Sequence, residues 1–382
     1  MTSIGILTTF RQPNFGSVLQ AYALQCVVER LGYDAKIIDY KYPNEYHWRQ
    51  GHRWGNPHLS LRWRLGIIKR RLLVALGLKR KNKMEMMNEF ISEYLHCTNY
   101  ITSRDKLKNN PPLFDIYMSG SDQIWNPNTM YGDMSYLFDF APKTAKRVAY
   151  SSSFSCASIP SKYKDEYVKW LSLFSSIGVR ESNGVKIVKD LVPSKRVSLV
   201  LDPTLLLNKN DWHRLALKAN KVELPQKYIL FYMLAYTYSP EKKMGEILQF
   251  VYDKYKMPIV SLSPCPSEFK GDCIRIEDDY EIGNHEFIML FEKAEMVVTS
   301  SFHGTAFSLN LGKPLLALEN GKSHSDDRIS SLLHEVGLDS QLITTDMNLN
   351  IDLNPFYDVE NEQHNLQILR DKSFAFIKES LN

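Results

Sequence analysis

The sequence predicts a doubly wound α/β fold in two domains that face each other across a cleft, and three observations carry that prediction. The chain opens with a strand, a loop, a helix and a second strand. Four further apolar strands follow, each ending in small or polar residues. After "LDPTLLL" the alternation of strands and helices begins again with its own apolar positions.

"SIGILTTF" is the first strand. Behind it Val18, Leu19, Tyr22, Leu24, Val27, Val28 and Leu31 make a helical stripe, Gly32 suits the helix stop, and "AKIIDY" returns as a strand. Gly16 and Ser17 stand at the helix entrance. "FDIYMSGSDQIW", "RVAYSSSF", "SSIGVRE" and "RVSLVLDP" fit a parallel sheet with its loops on one edge. The second set runs "YILFYML", helical "EKKMGEILQFVYDKY", "MPIVSLS", helical "HEFIMLFEKA", "EMVVTS", helical "TAFSLN" and "KPLLAL". Between the sets, polar "NKNDWHRLALKANKVELPQ" marks a boundary near 205–225. The expected domains are 1–205 with a basic helical insertion at about 46–95, then 206–345, then a tail with a helix at 346–382. Ligands of such sheets sit beyond the carboxyl ends of the strands, so the cleft is the expected site.

With 382 residues, 44% hydrophobic and 24% charged, the chain is an ordinary globular protein long enough for two cores. Its net charge of +4 is uneven: residues 46–84 hold eleven Lys or Arg and no Asp or Glu, which leaves −7 for the rest. That distribution argues against nucleic acid, whose binders spread positive charge over a face, and for a local acidic partner. Within the segment, Leu61, Leu65, Ile68, Leu72 and Leu76 fall at helical spacing beside basic residues and Trp63. Such a helix either packs on its own domain or lies on an anionic membrane leaflet through 60–83. Cys26, Cys97, Cys156, Cys265 and Cys273 are odd in number and scattered, which reads as reduced thiols in a cytoplasm. "MTSIGILTTF" lacks a basic leader region and no apolar run reaches the ~18 residues that span a bilayer. The expected location is cytoplasmic, with peripheral contact at the membrane's inner face. No metal-ligand spacing is visible and no cofactor is expected.

Three strand ends could carry chemistry. His303 follows "EMVVTS" at the start of a helix, where free N–H groups and the helix dipole favour an anion and lower a histidine's proton affinity. Gly304 would admit a ligand to the backbone, and Ser300, Ser301 and Thr305 supply hydroxyls; the alternative is a capped helix with a satisfied histidine. Arg180 ends "IGV", where its planar fork could meet a phosphate or carboxylate, or simply pair with Glu181 or another nearby acid. In "SGSDQIWNP", Ser121 and Asn126 flank an Asp122 that could orient or deprotonate a sugar hydroxyl and a Trp125 that could stack on a sugar face. A turn cap and a core aromatic would look the same. The "RQPNFGS" loop offers Asn14, Phe15, Gly16 and Ser17, but it is neither a Walker A loop nor GxGxxG. Arg328 begins a helix after Asp326 and Asp327, and could reach an anion or pair with those acids.

In order along the chain, "NFGSVLQAYAL", "LGYDAKIIDY", "SGSDQIWNP", "YSSSF", "GVRES", "LDPTLLL", "VVTSSFHGTAFSLNLGKPLLAL" and "DDRISSLL" resemble the polysaccharide pyruvyl transferase family, from residue 4 to about 338. The resemblance implies two Rossmann-like domains in a GT-B-like arrangement. It also implies transfer of the pyruvyl group of phosphoenolpyruvate to a sugar diol, expected to be a hexose of galactose type, as a cyclic ketal during capsule or exopolysaccharide synthesis. The acceptor would be a sugar or a lipid-linked oligosaccharide. It marks His303 and Arg180 as active-site residues. Donor binding then falls to Arg180, Ser300, Ser301, His303, Gly304, Thr305 and Arg328, and acceptor binding to Asn14, Phe15, Gly16, Ser121, Asp122, Trp125 and Asn126. His303 would transfer the proton, and Asp122 would act on the acceptor side. Many members have an arginine where this chain has Ser301, so Arg328 or Arg11 would have to supply the second cation. The rival reading of the same fold is a glycosyltransferase with a nucleotide-sugar donor.

Overall fold

The computed structural model describes residues 1–40, 61–130, 132–235, 238–321, 326–349 and 353–382. Its strands are β1 (Ser3–Leu7), β2 (Asp34–Ile37), β3 (Ile116–Ser119), β4 (Lys146–Ser152), β5 (Ser176–Val179), β6 (Val197–Leu199), β7 (Ile229–Tyr232), β8 (Ile259–Ser261), β9 (Cys273–Arg275), β10 (Met296–Thr299), β11 (Leu315–Glu319) and β12 (Leu342–Thr344). They form two six-stranded sheets, ordered β2-β1-β3-β4-β5-β6 and β12-β11-β10-β7-β8-β9, and every recorded pairing is parallel. The chain is a pair of Rossmann-like lobes, as expected. Nearly continuous burial of the central strands, as in fully buried Met296–Thr299, is what helices on both faces of a parallel sheet require.

Each sheet has one point where the strand order reverses: between β1 and β3 in the first lobe, and between β7 and β10 in the second. There the loops on the carboxyl side part and leave a crevice. The "RQPNFGS" and "SGSDQIW" loops leave one such point, and the "TSSFHG" turn leaves the other.

The lobes are joined by packing as well as by the chain. Helix α1 (Phe15–Arg30) starts with Asn14 accepting from the Gly16 N–H at 2.9 Å, and it is buried along most of its length. Phe15 stacks on Phe287 of the second lobe with ring centroids 4.9 Å apart, and Arg30 forks onto Asp211 at 2.8 and 2.9 Å. The polar stretch expected to be a linker is helical over Lys209–Ala216, and the expected 205/206 division falls inside the short helix Pro203–Leu206. Trp212 is the reason: its ring is fully buried and its indole donates to the Thr204 carbonyl at 3.1 Å.

The C-terminal helix Val359–Leu381 returns to the first lobe. Arg370 on it is buried, donating Nε to the Leu205 carbonyl at 2.7 Å and Nη2 to Asn310 at 3.2 Å, and Ser373 accepts from the Leu201 N–H at 3.0 Å. The helix therefore clasps both lobes.

Within the basic insertion, helices α2 (Leu61–Ala75) and α3 (Lys83–Tyr94) are described, whereas 41–60 lie outside the described residues. The expectation of five free thiols needs correcting. Cys265 and Cys273, eight residues apart with Cα atoms 6.8 Å apart, are joined as a disulfide, while Cys26, Cys97 and Cys156 are free. The β8 to β9 loop brings the pair together, which spacing along the chain does not reveal. Among the described residues no helix is long and apolar enough to cross a membrane.

Because Arg370 is a buried charged donor serving two acceptors, Arg370→Ala is expected to lower unfolding free energy by about 3 kcal/mol. Urea titration of the two proteins checks this.

Candidate active site

Asp202 lies at the centre. It follows β6, and Pro203 behind it starts a short helix that Asp202 caps, its Oδ1 accepting from the N–H of Thr204 at 2.9 Å and from that residue's hydroxyl at 2.7 Å. Its Oδ2 accepts from the Ser121 hydroxyl at 2.6 Å and from Nη1 of Arg180 at 2.9 Å. The carboxylate is fully buried.

Arg180 leaves the end of β5, and Phe302 lies over its guanidinium with 4.2 Å between Cζ and the ring centroid. Its Nε and Nη2 have no hydrogen-bond partner, and Nη2 stands 3.7 Å from Asp122 Oδ1. The alternative in which Arg180 pairs with a nearby acid holds, but the acid is Asp202 and not Glu181. Glu181 turns away, and its Oε1 accepts from the N–H groups of Phe154 at 2.7 Å and Ser155 at 3.3 Å.

His303 comes from the opposite lobe as the second residue of helix Phe302–Asn310. Its ring lies against Gly16, where a Cβ would stand 2.2 Å from two ring atoms, so only glycine lets the lobes close this far. Nε2 has no hydrogen-bond partner and approaches Asp202 Oδ2 to 3.7 Å, a charge contact rather than a hydrogen bond. His303 and Arg180 thus flank one carboxylate. Asp122 completes the cluster: its Oδ2 accepts from the hydroxyls of Ser17 at 2.6 Å and Thr9 at 3.2 Å, and its φ of +75° is a left-handed conformation that an aspartate adopts at a cost. Arg328 forks onto Asp326 at 2.6 and 2.5 Å, lies 6.0 Å from the Phe302 ring, and meets the Gln123 amide oxygen at 2.7 and 2.9 Å when that amide faces it.

Several expected contacts have other work here. Ser301 caps the helix, accepting from the Gly304 N–H at 3.2 Å; Ser300 exchanges hydrogen bonds with the Leu234 backbone; Thr305 donates to the Ser301 carbonyl. Gly304 packs on Thr299, whose Oγ1 would be 2.3 Å from a Cβ. Trp125 is not a sugar platform, because its ring is enclosed by Phe154 and Phe174 and its indole donates to the Tyr136 carbonyl. Asn126 is a buried turn cap bonded to Ser155 and Asn128, Asn14 caps α1, and Phe15 is core. Arg11 is forked onto Asp39, as Arg328 is onto Asp326. Asp202, Gln123, Phe302 and Asp326 belong to the cluster without having been singled out as site residues, and Ser17, offered by its loop, joins them through Asp122. The "LDPT" string, an acid before proline at a strand end, was the available signal for Asp202. Among the described residues no group of three or more His, Cys, Asp or Glu side chains could hold a metal ion.

The polysaccharide pyruvyl transferase family matches residues 14–322 of the chain. The chain belongs to that family. It is therefore a transferase of polysaccharide biosynthesis. No curated protein sequence matches it. Similar solved structures include a UDP-GlcNAc 2-epimerase from Methanocaldococcus jannaschii (13% identity, TM-score 0.42, covering 97% of this chain and 99% of that one). A mutant O-GlcNAc transferase from Thermobaculum terrenum is another (9%, TM-score 0.48, 100% and 66%), as is the glycotransferase of kitacinnamycin (10%, TM-score 0.45, 100% and 99%).

The pyruvyl transferase cluster is strongly charged. Burial would raise Asp122, but Arg180, His303 and the Ser17 hydroxyl outweigh it and hold the carboxyl below the usual range. At Asp202 burial likewise opposes ionisation, and the His303 ring, Arg180 and Ser121 drive its pKa far down. At Asp326 burial is overcome by Arg328. Glu181 behaves in the opposite way. Burial raises it to about 7, against the charge of Arg180 and the Phe154 N–H. A carboxyl raised in the folded state contributes stability below its unfolded pKa and loses it as pH rises through about 7. Glu181→Gln, which cannot ionise, should therefore gain on its parent between about pH 5 and about pH 8.5, by on the order of 2–3 kcal/mol. Urea unfolding across that range tests this, and a pH-independent difference contradicts it.

Proposed function

We propose that this transferase moves the pyruvyl group of phosphoenolpyruvate onto two neighbouring hydroxyls of a hexose, of galactose type, forming a cyclic ketal in a capsular or exopolysaccharide. The reading rests on one observation within a chain of this family: Arg180 and His303 come from facing lobes and flank the same buried carboxylate. The donor is a central metabolite, so the reading is of a cytoplasmic enzyme.

The chemistry asks for cations, a proton donor and a proton acceptor. A proton added to the methylene carbon of the donor makes a methyl group and leaves positive charge at C2. One sugar hydroxyl attacks there, the C–O bond to phosphate breaks, and the neighbouring hydroxyl closes the ring. Of the two protons lost by the diol, one balances the proton gained by carbon and the other leaves with the phosphate. Arg180, whose Nε and Nη2 are unpartnered, is the donor-binding cation, and Arg328, on the other flank of Phe302, is the second. A recess lined by Arg180, Asp202, Phe302, Glu335 and Lys372 opens beside Arg180, whereas His303, Asp122 and Arg328 do not line it. His303 transfers the proton, with its Nε2 unpartnered beside Asp202 at the start of its helix. Asp122 accepts from the acceptor hydroxyl; the Ser17 and Thr9 hydroxyls hold it in place.

Phosphate release from phosphoenolpyruvate that depends on a galactoside, with ketal formation followed by mass spectrometry, is the expected result for the purified chain. Turnover of a UDP-sugar with no phosphate from phosphoenolpyruvate would overturn the reading. In that assay His303→Ala should lower kcat by at least ~100-fold. Arg180→Ala should mainly raise the donor KM, and an unchanged KM contradicts its role. Gly16→Ala, which forces the imidazole aside, should cost about 100-fold in kcat while folding normally by circular dichroism.

A further inference from the structure

The basic insertion carries a surface that the cluster above does not use. On α2 the exposed residues Leu65, Ile68 and Leu72 continue into Leu76 and Leu78 just beyond the helix, each 58–68% exposed. At about 100° per residue, Leu65, Ile68, Leu72 and Leu76 lie within one narrow stripe. Ile67, Arg70 and Val74 lie on the opposite side and are the half-buried ones. The helix thus rests on the protein by one face and turns an apolar face outward.

The charges divide in the same way. Arg70 forks onto Glu85 at 2.8 and 3.0 Å, and Lys81 pairs with Glu89 at 2.7 Å. Arg80 donates to the Asp278 carbonyl at 3.4 Å, the Lys81 N–H to Glu281, and Lys83 to Glu277 at 3.4 Å. Part of the acidic partner expected for this segment is therefore the chain's own run at 277–281. Lys69, Arg71 and Lys79 are exposed, with Lys69 beside the leucine stripe.

We propose that this face docks on an anionic phospholipid bilayer, with Leu65, Ile68, Leu72, Leu76 and Leu78 entering the headgroup boundary and Lys69 and Lys79 meeting lipid phosphates. Charge complementarity selects this occupant. A second copy of the chain would set like charges against each other, and a nucleic acid would leave the leucine stripe in water. An anionic surface accepts both features, and it repels the −7 remainder of the chain, which turns the insertion toward the lipid. The inference is independent of the chemistry assigned to the cleft.

Co-sedimentation of the full chain with vesicles tests it. The chain should bind phosphatidylglycerol/phosphatidylcholine vesicles at low salt and bind pure phosphatidylcholine at least about tenfold more weakly. Combined Ile68→Ser, Leu72→Ser and Leu76→Ser should weaken binding at least about tenfold, as should combined Lys69→Glu and Lys79→Glu. Unchanged thermal unfolding would show that these exposed substitutions leave the fold intact. Equal binding to both vesicle types, or binding unaffected by the serine substitutions, overturns the proposal. So does a concentration-dependent dimer in sedimentation velocity that the serine substitutions abolish, with no vesicle binding.

Discussion

The buried carboxylate of Asp202 is the constraint on which the cleft depends. An isolated buried charge is expensive, and this one is tolerated because Arg180, Ser121 and Thr204 all donate to it. The same bonds fix Arg180 in an orientation in which two of its nitrogens have no partner. A buried donor left without an acceptor costs about 1–3 kcal/mol. Such a cost persists where it serves a ligand, and a multiply anionic ligand would supply the missing acceptors. Asp202 holds the arginine in place while leaving it incompletely neutralised.

That arrangement requires the two lobes to meet in a definite register. Their strand orders differ, yet each reverses beside the strand whose loop enters the cluster, so both present loops at facing crevices. Gly16 sets the closest approach, the Phe15–Phe287 stack sets the angle from below, and Arg370 ties the returning helix to the hinge. Asp327 and Ser331 add a latch by accepting from the N–H groups of Asn183 and Ser182 across the lobes. The contacts join the lobes on several sides of the cluster, so its geometry is built in before any ligand arrives.

How much of this was legible in the sequence follows from what periodicity can register. Long apolar strands such as "EMVVTS" and "YILFYML" announce themselves, whereas β9 and β12 are three-residue strands at the sheet edge with few apolar positions to count. His303, Arg180 and Asp122 were legible because each ends a strand with a residue suited to chemistry. Asp202 was not, because an aspartate before proline also reads as a plain helix cap, and it is in fact both. Trp125 and Phe15 misled for a related reason. Composition cannot tell an aromatic beside a site from an aromatic beneath it, and only the enclosing rings of Phe154, Phe174 and Phe287 decide that. The Cys265–Cys273 pair is a contact made by a loop turning back, which no linear pattern encodes.

The insertion shows how a charge run can serve two purposes at once. Its C-terminal end is spent inside the molecule: Lys83 bonds Glu277 and sits 3.9 Å over the Phe15 ring, the residue next to Gly16. Burial lowers the Lys83 pKa, and Glu277 opposes that. Its N-terminal end, along α2, faces outward instead. The two ends are joined by the turn at Gly77, whose φ of +70° only glycine adopts without strain, and by the capping box of Asn82 and Glu85 that starts α3. A surface held by α2 is thereby connected, through that turn and Lys83, to Phe15, the neighbour of the Gly16 against which His303 packs. With the proposed docking, an acceptor carried on a lipid would meet the cleft as a tethered ligand, at an effective concentration set by the tether rather than by bulk solution.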